Sequence, residues 1–243
     1  MKPYEILLIA AVAFLALLYA YAKTPRGRGW VGETRVKWVI KKTKPGIRYV
    51  INDLRISAEN GKTSQIDHVL ICRNGIFVIE TKNYSGRIYG NDNQLEWTQV
   101  LNYGRVKNKL YSPIKQNKTH IYHVSKALSE KLPIVSAVVF VQGNIRYIDS
   151  YDVYDLKGLK HLINTNYNTL TPEQMKRAYE DLLNANDSSV STYQHIKNIQ
   201  YMRENVSKNV CPRCGGKLIE RQGKNGGFMG CSNYPKCRFT KQL

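Results

Sequence analysis

Hydrophobic residues form an unbroken run from Ile6 to Ala22, close to the start of the chain. Pro3 and Tyr4 extend this run almost to the length of about 20 residues that spans a bilayer core as a helix. Many Lys and Arg residues follow the run, whereas only Lys2 precedes it. Because cytoplasmic flanks carry the excess of positive charge, the pattern predicts a transmembrane anchor at residues 1–23. The chain would then be a single-pass protein of the cell membrane with its C-terminal domains in the cytoplasm.

A cleaved signal peptide is the alternative interpretation of the same segment. Ala20, Tyr21 and Ala22 have the small-x-small form of a cleavage site. Against cleavage, Glu5 lies in the region that a signal peptide keeps positive, and cations follow the apolar run at once. These features favour the anchor, and cell fractionation distinguishes the two, because a cleaved protein would be soluble and shorter.

Residues 24–184 combine strand-like and helix-like patterns and are predicted to form one domain. Strands are predicted at Arg48–Leu54, Gln65–Cys72, Ile76–Lys82, Gln94–Val100 and Ile134–Gln142. Helices are predicted at Trp30–Lys44 and Pro113–Lys131, and a further helix with Thr171 as its N-cap and Pro172 as its first residue. This order predicts an α/β fold in which a mixed sheet is flanked by helices.

Polar residues predominate from residue 185 to residue 209, which we interpret as a linker. It is predicted to be partly helical, because apolar side chains recur there at helical spacing, namely Tyr193, Ile196, Ile199 and Met202. The tail that follows, residues 210–243, holds four of the five cysteines.

Those four cysteines predict a structural zinc site. They are Cys211, Cys214, Cys231 and Cys237, spaced as Cys-x2-Cys, sixteen residues, and Cys-x5-Cys. Two-residue knuckles let neighbouring thiolates meet one tetrahedral ion, and four protein ligands leave no open position for catalysis. A module this small depends on the metal for its folding energy. Thiolate ligands also favour a reducing compartment.

The charge of the chain indicates the kind of partner. There are 37 Lys+Arg against 18 Asp+Glu, a formal net charge of +19. An excess of this size favours polyanions, either nucleic acid or an anionic membrane surface. The 17 tyrosines add rings suited to stacking on bases, although many of them belong to the core.

A hairpin in the middle of the chain is the candidate catalytic segment. Asn74-Gly75 between two apolar runs predicts a two-residue type I′ turn. That turn would pair Val69 with Glu80, so that Asp67, Glu80 and Lys82 share one face of the sheet. The two carboxylates would be diagonal neighbours, about 7 Å apart at Cβ, and could reach one divalent cation. The alternative is a polar strand end that carries an Asp–Lys pair.

The sequence around the cysteines resembles that of the zinc ribbons at the C-terminus of type IA DNA topoisomerases. The shared motifs are the CysPro-x-CysGly knuckle, Arg-x-GlyLys-x-Gly and GlyCysSer-x-TyrPro-x-Cys. In that family the ribbons bind single-stranded DNA. The resemblance therefore implies nucleic-acid contacts by Arg221, Lys224, Phe228 and Tyr234. The rings have an alternative role as a miniature core around the zinc.

The hairpin and its surroundings resemble the nuclease-related domain, NERD, of the PD-(D/E)xK superfamily, over residues 28–145. The resemblance rests on GlyGlu at residues 32–33, IleAspHisValLeuIle at 66–71, AsnGlyIlePheValIleGluThrLys at 74–82, and Gly86. It implies a restriction-endonuclease-like fold. The proline of the superfamily motif is absent, because Ile66 precedes Asp67.

The NERD resemblance also implies roles for individual residues. Asp67 and Glu80 would bind Mg²⁺ or Mn²⁺, with the carbonyl of Thr81 as a third ligand. Lys82 would be the catalytic lysine, and Glu33 a helix-borne acid that completes the site. Gln116 is a secondary candidate, while His120 is expected to pack or to bond to backbone, and His68 to be structural.

Together these features predict a membrane-anchored, metal-dependent nuclease that hydrolyses phosphodiester bonds in DNA, with a zinc ribbon that binds single-stranded DNA. RNA is a possible substrate as well. The alternative is a non-catalytic, membrane-tethered protein that binds DNA or RNA through the same fold.

Overall fold

The computed structural model describes residues 2–57, 63–165, 169–187, 204–212, 214–223 and 226–242. These residues form two compact units. The first comprises Met1–Ile56 and Ser64–Asn186, and the second comprises Ser57–Thr63 and Asp187–Leu243. The predicted helical spacing between Tyr193 and Met202 lies outside the described residues.

Two consecutive helices open the chain, α1 (Pro3–Lys23) and α2 (Pro25–Ile40). The side chains of α1 are largely exposed. Thr24 caps α2, since its Oγ1 accepts a hydrogen bond from the Gly27 amide at 3.0 Å. The corner is tight, because a Cβ on Gly27 would lie 1.9 Å from the Tyr21 carbonyl oxygen. The helix predicted at Trp30–Lys44 therefore begins and ends earlier than expected, and Lys41 stops it with a φ of 66°.

Within the described residues, the rest of the first unit contains nine strands, three helices and a 3₁₀ turn at Asn102–Gly104. The strands are β1 (Arg48–Ser57), β2 (Thr63–Cys72), β3 (Gly75–Lys82), β4 (Arg87–Asn91), β5 (Glu96–Leu101), β6 (Val106–Tyr111), β7 (Ile134–Phe140), β8 (Asn144–Asp149) and β9 (Val153–Tyr154). The helices are α3 (Pro113–Ala127), α4 (Leu156–Asn164) and α5 (Pro172–Asn184). Thr171 caps α5 with Pro172 as its first residue, as predicted.

A five-stranded mixed sheet, in the order β1-β2-β3-β7-β9, forms the centre of this unit. One face packs against α3 and α5, through a core that includes Val69, Val78 and Val124. The other face packs against α2 and α4, through a core that includes Val36 and Phe77. The prediction of a mixed sheet flanked by helices is therefore confirmed.

The β2–β3 hairpin differs from the predicted one in its register. Cys72 pairs with Gly75, and Val69 pairs with Val78, so that the two turn residues are Arg73 and Asn74. A type I′ turn at Asn74-Gly75 requires a positive φ at both residues, but only Gly75 has one, at 132°. The predicted turn is wrong. The register moves by two residues, however, which leaves every side chain on its predicted face.

A second sheet, in the order β6-β5-β4-β8, was not predicted apart from β5. Its inner face packs Ile88 and Trp97 against Ile114, Val138 and Phe140. Gly90 allows this packing, because a Cβ there would lie 2.3 Å from the Trp97 ring.

The second unit contains a three-stranded antiparallel sheet, β10 (Leu218–Gly223), β11 (Gly226–Cys231) and β12 (Thr240–Gln242). Its small core consists of Leu218 and three buried cysteines, with Val206, Met229 and Phe239 packed against them.

Candidate functional site

Asp67 and Glu80 lie on the face of the main sheet that α3 covers. Val69 pairs with Val78, and each acid is two residues away from one of these valines on the same face. The amide of Thr81 donates a hydrogen bond to Oδ2 of Asp67 at 2.7 Å, which ties the two strand ends together. The structure therefore brings together the two acids that the sequence pairs.

Lys82 lies beside Glu80 at the end of β3. Its Nζ donates to Oε1 of Glu80 at 2.5 Å and to Oε1 of Gln116 at 3.0 Å. Gln116 is on the first turns of α3, where Pro113 and the Ser112 cap begin the helix. The secondary candidate Gln116 is thus in direct contact with the predicted catalytic lysine.

His120 also belongs to this group, contrary to the expectation that it would pack or bond to backbone. Its Nε2 is 3.1 Å from Oε2 of Glu80, and its Nδ1 is 2.7 Å from Oγ of Ser64. The side chain is only 7% exposed. The signal that could have identified it is the spacing of four residues from Gln116, which places both side chains on one face of α3. His68 points to the opposite face of β2, where its Nδ1 is 2.8 Å from Oδ1 of Asn52.

Glu33 approaches the site from α2, on the other side of the sheet. Gly32 permits close packing, since a Cβ there would lie 2.9 Å from the Cβ of Asn83, just beyond β3. Lys37 lies between Glu33, at 3.9 Å, and Asp53, at 3.6 Å. Asp53 was not predicted; it has a φ of 54° within β1 and adds a further carboxylate near Glu33.

Burial and neighbouring charges shift the pKa values of the ionisable groups in the site. Burial and the neighbouring Glu80 raise the pKa of Asp67 well above its usual value. Burial would also raise the pKa of Glu80, but Lys82 and His120 outweigh it and hold that pKa below its usual value. Burial would lower the pKa of Lys82, yet Glu80 and Asp67 raise it. Burial and Asp53 raise the pKa of Glu33.

This donor set fits a divalent cation of the Mg²⁺ or Mn²⁺ type, which takes oxygen ligands. Asp67 and Glu80 supply two carboxylates on one face, and burial together with the neighbouring Glu80 raises the pKa of Asp67, both of which a bound cation would offset. Glu80 itself is engaged by Lys82 and His120 through its two oxygens.

The four ribbon cysteines converge tightly. Sγ of Cys211 is 3.7 Å from that of Cys237, and Sγ of Cys214 is 3.3 Å from that of Cys231. All four sulfur atoms lie within 4.8 Å of one another, and among the described residues this is the one such group of three or more metal-binding side chains. Zn–S bonds of about 2.3 Å in a tetrahedron require sulfur atoms about 3.8 Å apart. The cluster fits a structural zinc ion.

Three of the predicted nucleic-acid contacts lie close together in the ribbon, where Tyr234 is exposed and Arg221 and Phe228 are half-buried. The fourth, Lys224, lies outside the described residues. Arg221 pairs with Phe228 across β10 and β11. The Arg221 guanidinium carbon is 5.6 Å from the centre of the Tyr234 ring, which is exposed. Nη2 of Arg221 also donates to the Cys231 carbonyl at 3.3 Å, which ties this cation to the zinc knuckle.

A mixed α/β domain that carries an acid pair and a lysine at one strand end, together with a four-thiolate ribbon, is the arrangement expected of a nuclease-like DNA-binding protein. Comparison with known families agrees. Residues 28–141 match the nuclease-related domain, and residues 208–243 match the topoisomerase DNA-binding C4 zinc finger. The chain therefore combines a nuclease-related domain with a topoisomerase-type zinc ribbon.

Individual relatives match either most of the chain or a short part of it. An uncharacterized protein of Bacillus anthracis is 29% identical over 213 residues, covering 84% of this chain and 97% of the relative. DNA topoisomerase 1 of Methanocaldococcus jannaschii is 47% identical over 48 residues, which are 20% of this chain and 6% of that enzyme. The uncharacterized protein YrdD of Escherichia coli is 52% identical over 33 residues, covering 14% of this chain and 18% of YrdD. No solved structure is significantly similar to this chain.

Proposed function

We propose that this protein is a membrane-anchored, metal-dependent nuclease that hydrolyses phosphodiester bonds in DNA. The observation that carries the proposal is the arrangement around Lys82, whose ammonium group contacts Glu80 and Gln116 beside the Asp67 carboxylate. A nuclease of this kind needs acids to hold a cation and a fixed positive charge for the phosphate.

In the proposed reaction, Asp67 and Glu80 would hold the cation, and the Thr81 carbonyl and Glu33 would complete its surroundings. A bound Mg²⁺ or Mn²⁺ supplies Lewis acidity and lowers the pKa of water. Lys82 orients the attacking water and stabilises negative charge on the phosphate, while Gln116 keeps the ammonium in place. The water oxygen bonds to phosphorus, the bond from phosphorus to the sugar oxygen breaks, and the proton that the attacking water loses ends on the departing sugar oxygen.

The ribbon would capture the substrate. The exposed Tyr234 ring next to Arg221 suits stacking on an unpaired base beside a phosphate. We therefore propose single-stranded or distorted DNA as the preferred ligand, with RNA as a possible second one.

The anchor rests on one helix. Among the described residues, the 20-residue segment Tyr4–Lys23 is long and apolar enough to cross a bilayer, and an 18-residue window within it has a mean hydropathy of 2.2. A signal sequence has the same features, so N-terminal sequencing of the mature protein distinguishes retention from cleavage. We favour retention, with the following domains in the cytoplasm, because of the cations that follow the helix.

The direct test is cleavage of single-stranded and nicked DNA by the full chain in detergent, with Mg²⁺ or Mn²⁺ added. We expect Lys82→Ala to reduce the rate by about 100-fold or more, as removal of one transition-state donor does elsewhere. Lys118→Ala is the matched control, since it removes the same charge from an exposed position of α3. Equal cleavage rates for wild type and Lys82→Ala would contradict the assignment of the active site to Lys82 and its neighbours.

A second candidate function is non-catalytic tethering of nucleic acid to the membrane. It is favoured by the contacts of Glu80, because Lys82 and His120 each contact one of its two carboxylate oxygens, which would otherwise bind a cation. This function predicts binding with a steep salt dependence but no cleavage with any divalent cation.

A further inference from the structure

The outer face of the second sheet carries a regular set of side chains that the proposed active site does not use. Side chains alternate across a strand, so that Ile88 and Trp97 point to the core while their neighbours point outward. Strand pairing aligns these neighbours in one row: Lys109 opposite Thr98, Thr98 opposite Tyr89, and Tyr89 opposite Tyr147.

A second row on the same face adds to the positive charge. Lys107 pairs with Val100, and Val100 pairs with Arg87. Arg87, Lys107 and Lys109 are all exposed. The acidic residues on this face, Glu96 and Asp149, lie beyond the first row, at the end away from Arg87 and Lys107. The face is therefore positive at one end and in its middle.

Aromatic rings lie beside these cations. The rings of Tyr89 and Tyr147 stack, with centroids 4.7 Å apart and planes 23° from parallel. Tyr147 is 46% exposed and lies on β8, one of the two edge strands of this sheet. A base could extend this stack while the adjoining cations contact its phosphates.

We propose that this face, which we call the sheet platform (Arg87, Tyr89, Lys107, Lys109 and Tyr147), binds single-stranded nucleic acid. Stacked rings beside three cations suit a flexible strand with unpaired bases better than a lipid headgroup layer, which has no rings to stack. The inference rests on the proposed function for the choice of ligand, although it requires no cleavage.

The platform is close to the candidate active site along the chain. Arg87 follows Lys82 by five residues, and five extended residues span at most about 18 Å. At its other side, β6 ends at Tyr111 and α3, which carries Gln116, begins at Pro113. The Arg87 end of the platform thus lies within about 18 Å of Lys82.

The first test measures the salt dependence of binding. Fluorescence anisotropy with a labelled 20-nucleotide oligothymidylate, without added divalent cation, gives Kd at a series of KCl concentrations. We expect Lys107→Gln with Lys109→Gln to weaken binding and to reduce the slope of log Kd against log salt by about 1.4, because each single-strand phosphate contact contributes about 0.7. The matched control is Lys157→Gln with Lys160→Gln, which removes two exposed lysines from α4. Equal slopes for the two double variants would contradict the proposal that the sheet platform binds nucleic acid.

The second test addresses stacking. Tyr147→Ala should weaken oligothymidylate binding about tenfold, while Tyr147→Phe, which keeps the ring, should bind like wild type. Circular dichroism establishes that both variants are folded. Unchanged binding by folded Tyr147→Ala would contradict the stacking role.

Two further outcomes separate this inference from the proposed function. If DNA is cleaved but the platform variants bind oligothymidylate like wild type, the proposal that the sheet platform binds nucleic acid is wrong. The proposed nuclease function is then retained. If the lysine variants lose binding to vesicles of anionic phospholipid and not to oligothymidylate, the platform is a lipid contact and the inference is overturned. Binding that depends on the platform, without any cleavage, supports the inference and rejects the nuclease.

Discussion

His120 contacts Glu80 through its imidazole, with Nε2 3.1 Å from Oε2, and Ser64 contacts the other ring nitrogen. The ring therefore fixes the orientation of a carboxylate that is predicted to bind the catalytic cation. Partners of this kind typically contribute 10- to 100-fold to metal affinity or activity. We expect His120→Ala to reduce cleavage by about 10- to 100-fold and to raise the Mg²⁺ concentration needed for half-maximal rate.

The control for this prediction is Ser64→Ala, which leaves the contact between His120 and Glu80 in place. We expect a smaller loss of activity, measured in the same Mg²⁺ titration. A His120→Ala protein with wild-type rate and wild-type Mg²⁺ dependence would show that the ring has no part in the site.

Gly32 and Gly29 lie on the same helix but in different surroundings. A Cβ on Gly32 would lie 2.9 Å from the Cβ of Asn83 and 3.4 Å from Cγ2 of Thr81, whereas a Cβ on Gly29 would meet nothing within 4 Å. We expect Gly32→Ala to lower the free energy of unfolding by about 1–3 kcal/mol, because a packed helix must move. The same shift would displace Glu33 and reduce cleavage.

Gly29→Ala provides the comparison, since alanine favours a helix over glycine by about 1 kcal/mol. Its thermal midpoint should equal or exceed that of wild type, with unchanged cleavage. If both alanine variants behave alike, Gly32 does not set the approach of α2 to β3.

The sequence predicts the acid pair because strand alternation survives a register error of two residues. Asp67 and Glu80 share a face in both the predicted and the observed hairpin. The turn itself is missed because Asn74 has a tertiary contact, in which its Nδ2 donates to the Ile163 carbonyl at 2.9 Å. A local turn rule cannot include a partner so distant in sequence.

Other parts of the fold depend on contacts that a local pattern does not contain. The contact of His120 with Glu80 joins residues on different elements, forty positions apart. The strand Val106–Tyr111 is polar because it is an edge strand of the second sheet, so it has no hydrophobic run that marks it as a strand. The four cysteines, in contrast, are recognised from spacing alone, since one ion dictates where they meet.

Zinc should be required for the ribbon but not for the first unit. Structural zinc contributes about 10–16 kcal/mol of apparent binding free energy to small modules of this kind, which makes the metal their main source of stability. We expect one zinc ion per chain by elemental analysis and a substantial loss of zinc in Cys214→Ser. Cys72→Ser, which changes the cysteine outside the cluster, should retain the metal.

The thermal transition of the first unit should persist after Cys214→Ser, because its cores contain none of the zinc ligands. Oligothymidylate affinity should fall, since Arg221 and Tyr234 depend on the knuckle for their position. Full zinc content in Cys214→Ser would contradict the four-thiolate site.

The three tryptophans provide a test of the anchor. Trp30 and Trp38 on α2 are 57% and 81% exposed, whereas Trp97 is fully buried. Because α2 follows α1 directly, an anchored α1 would bring the exposed indoles of α2 to the headgroup region that tryptophan prefers. In vesicles of brominated phospholipid, we expect quenching of wild-type fluorescence but little quenching of the double variant Trp30→Phe with Trp38→Phe, which retains only Trp97. Vesicles without bromine are the reference, and equal quenching of both proteins would show that α2 does not face the membrane.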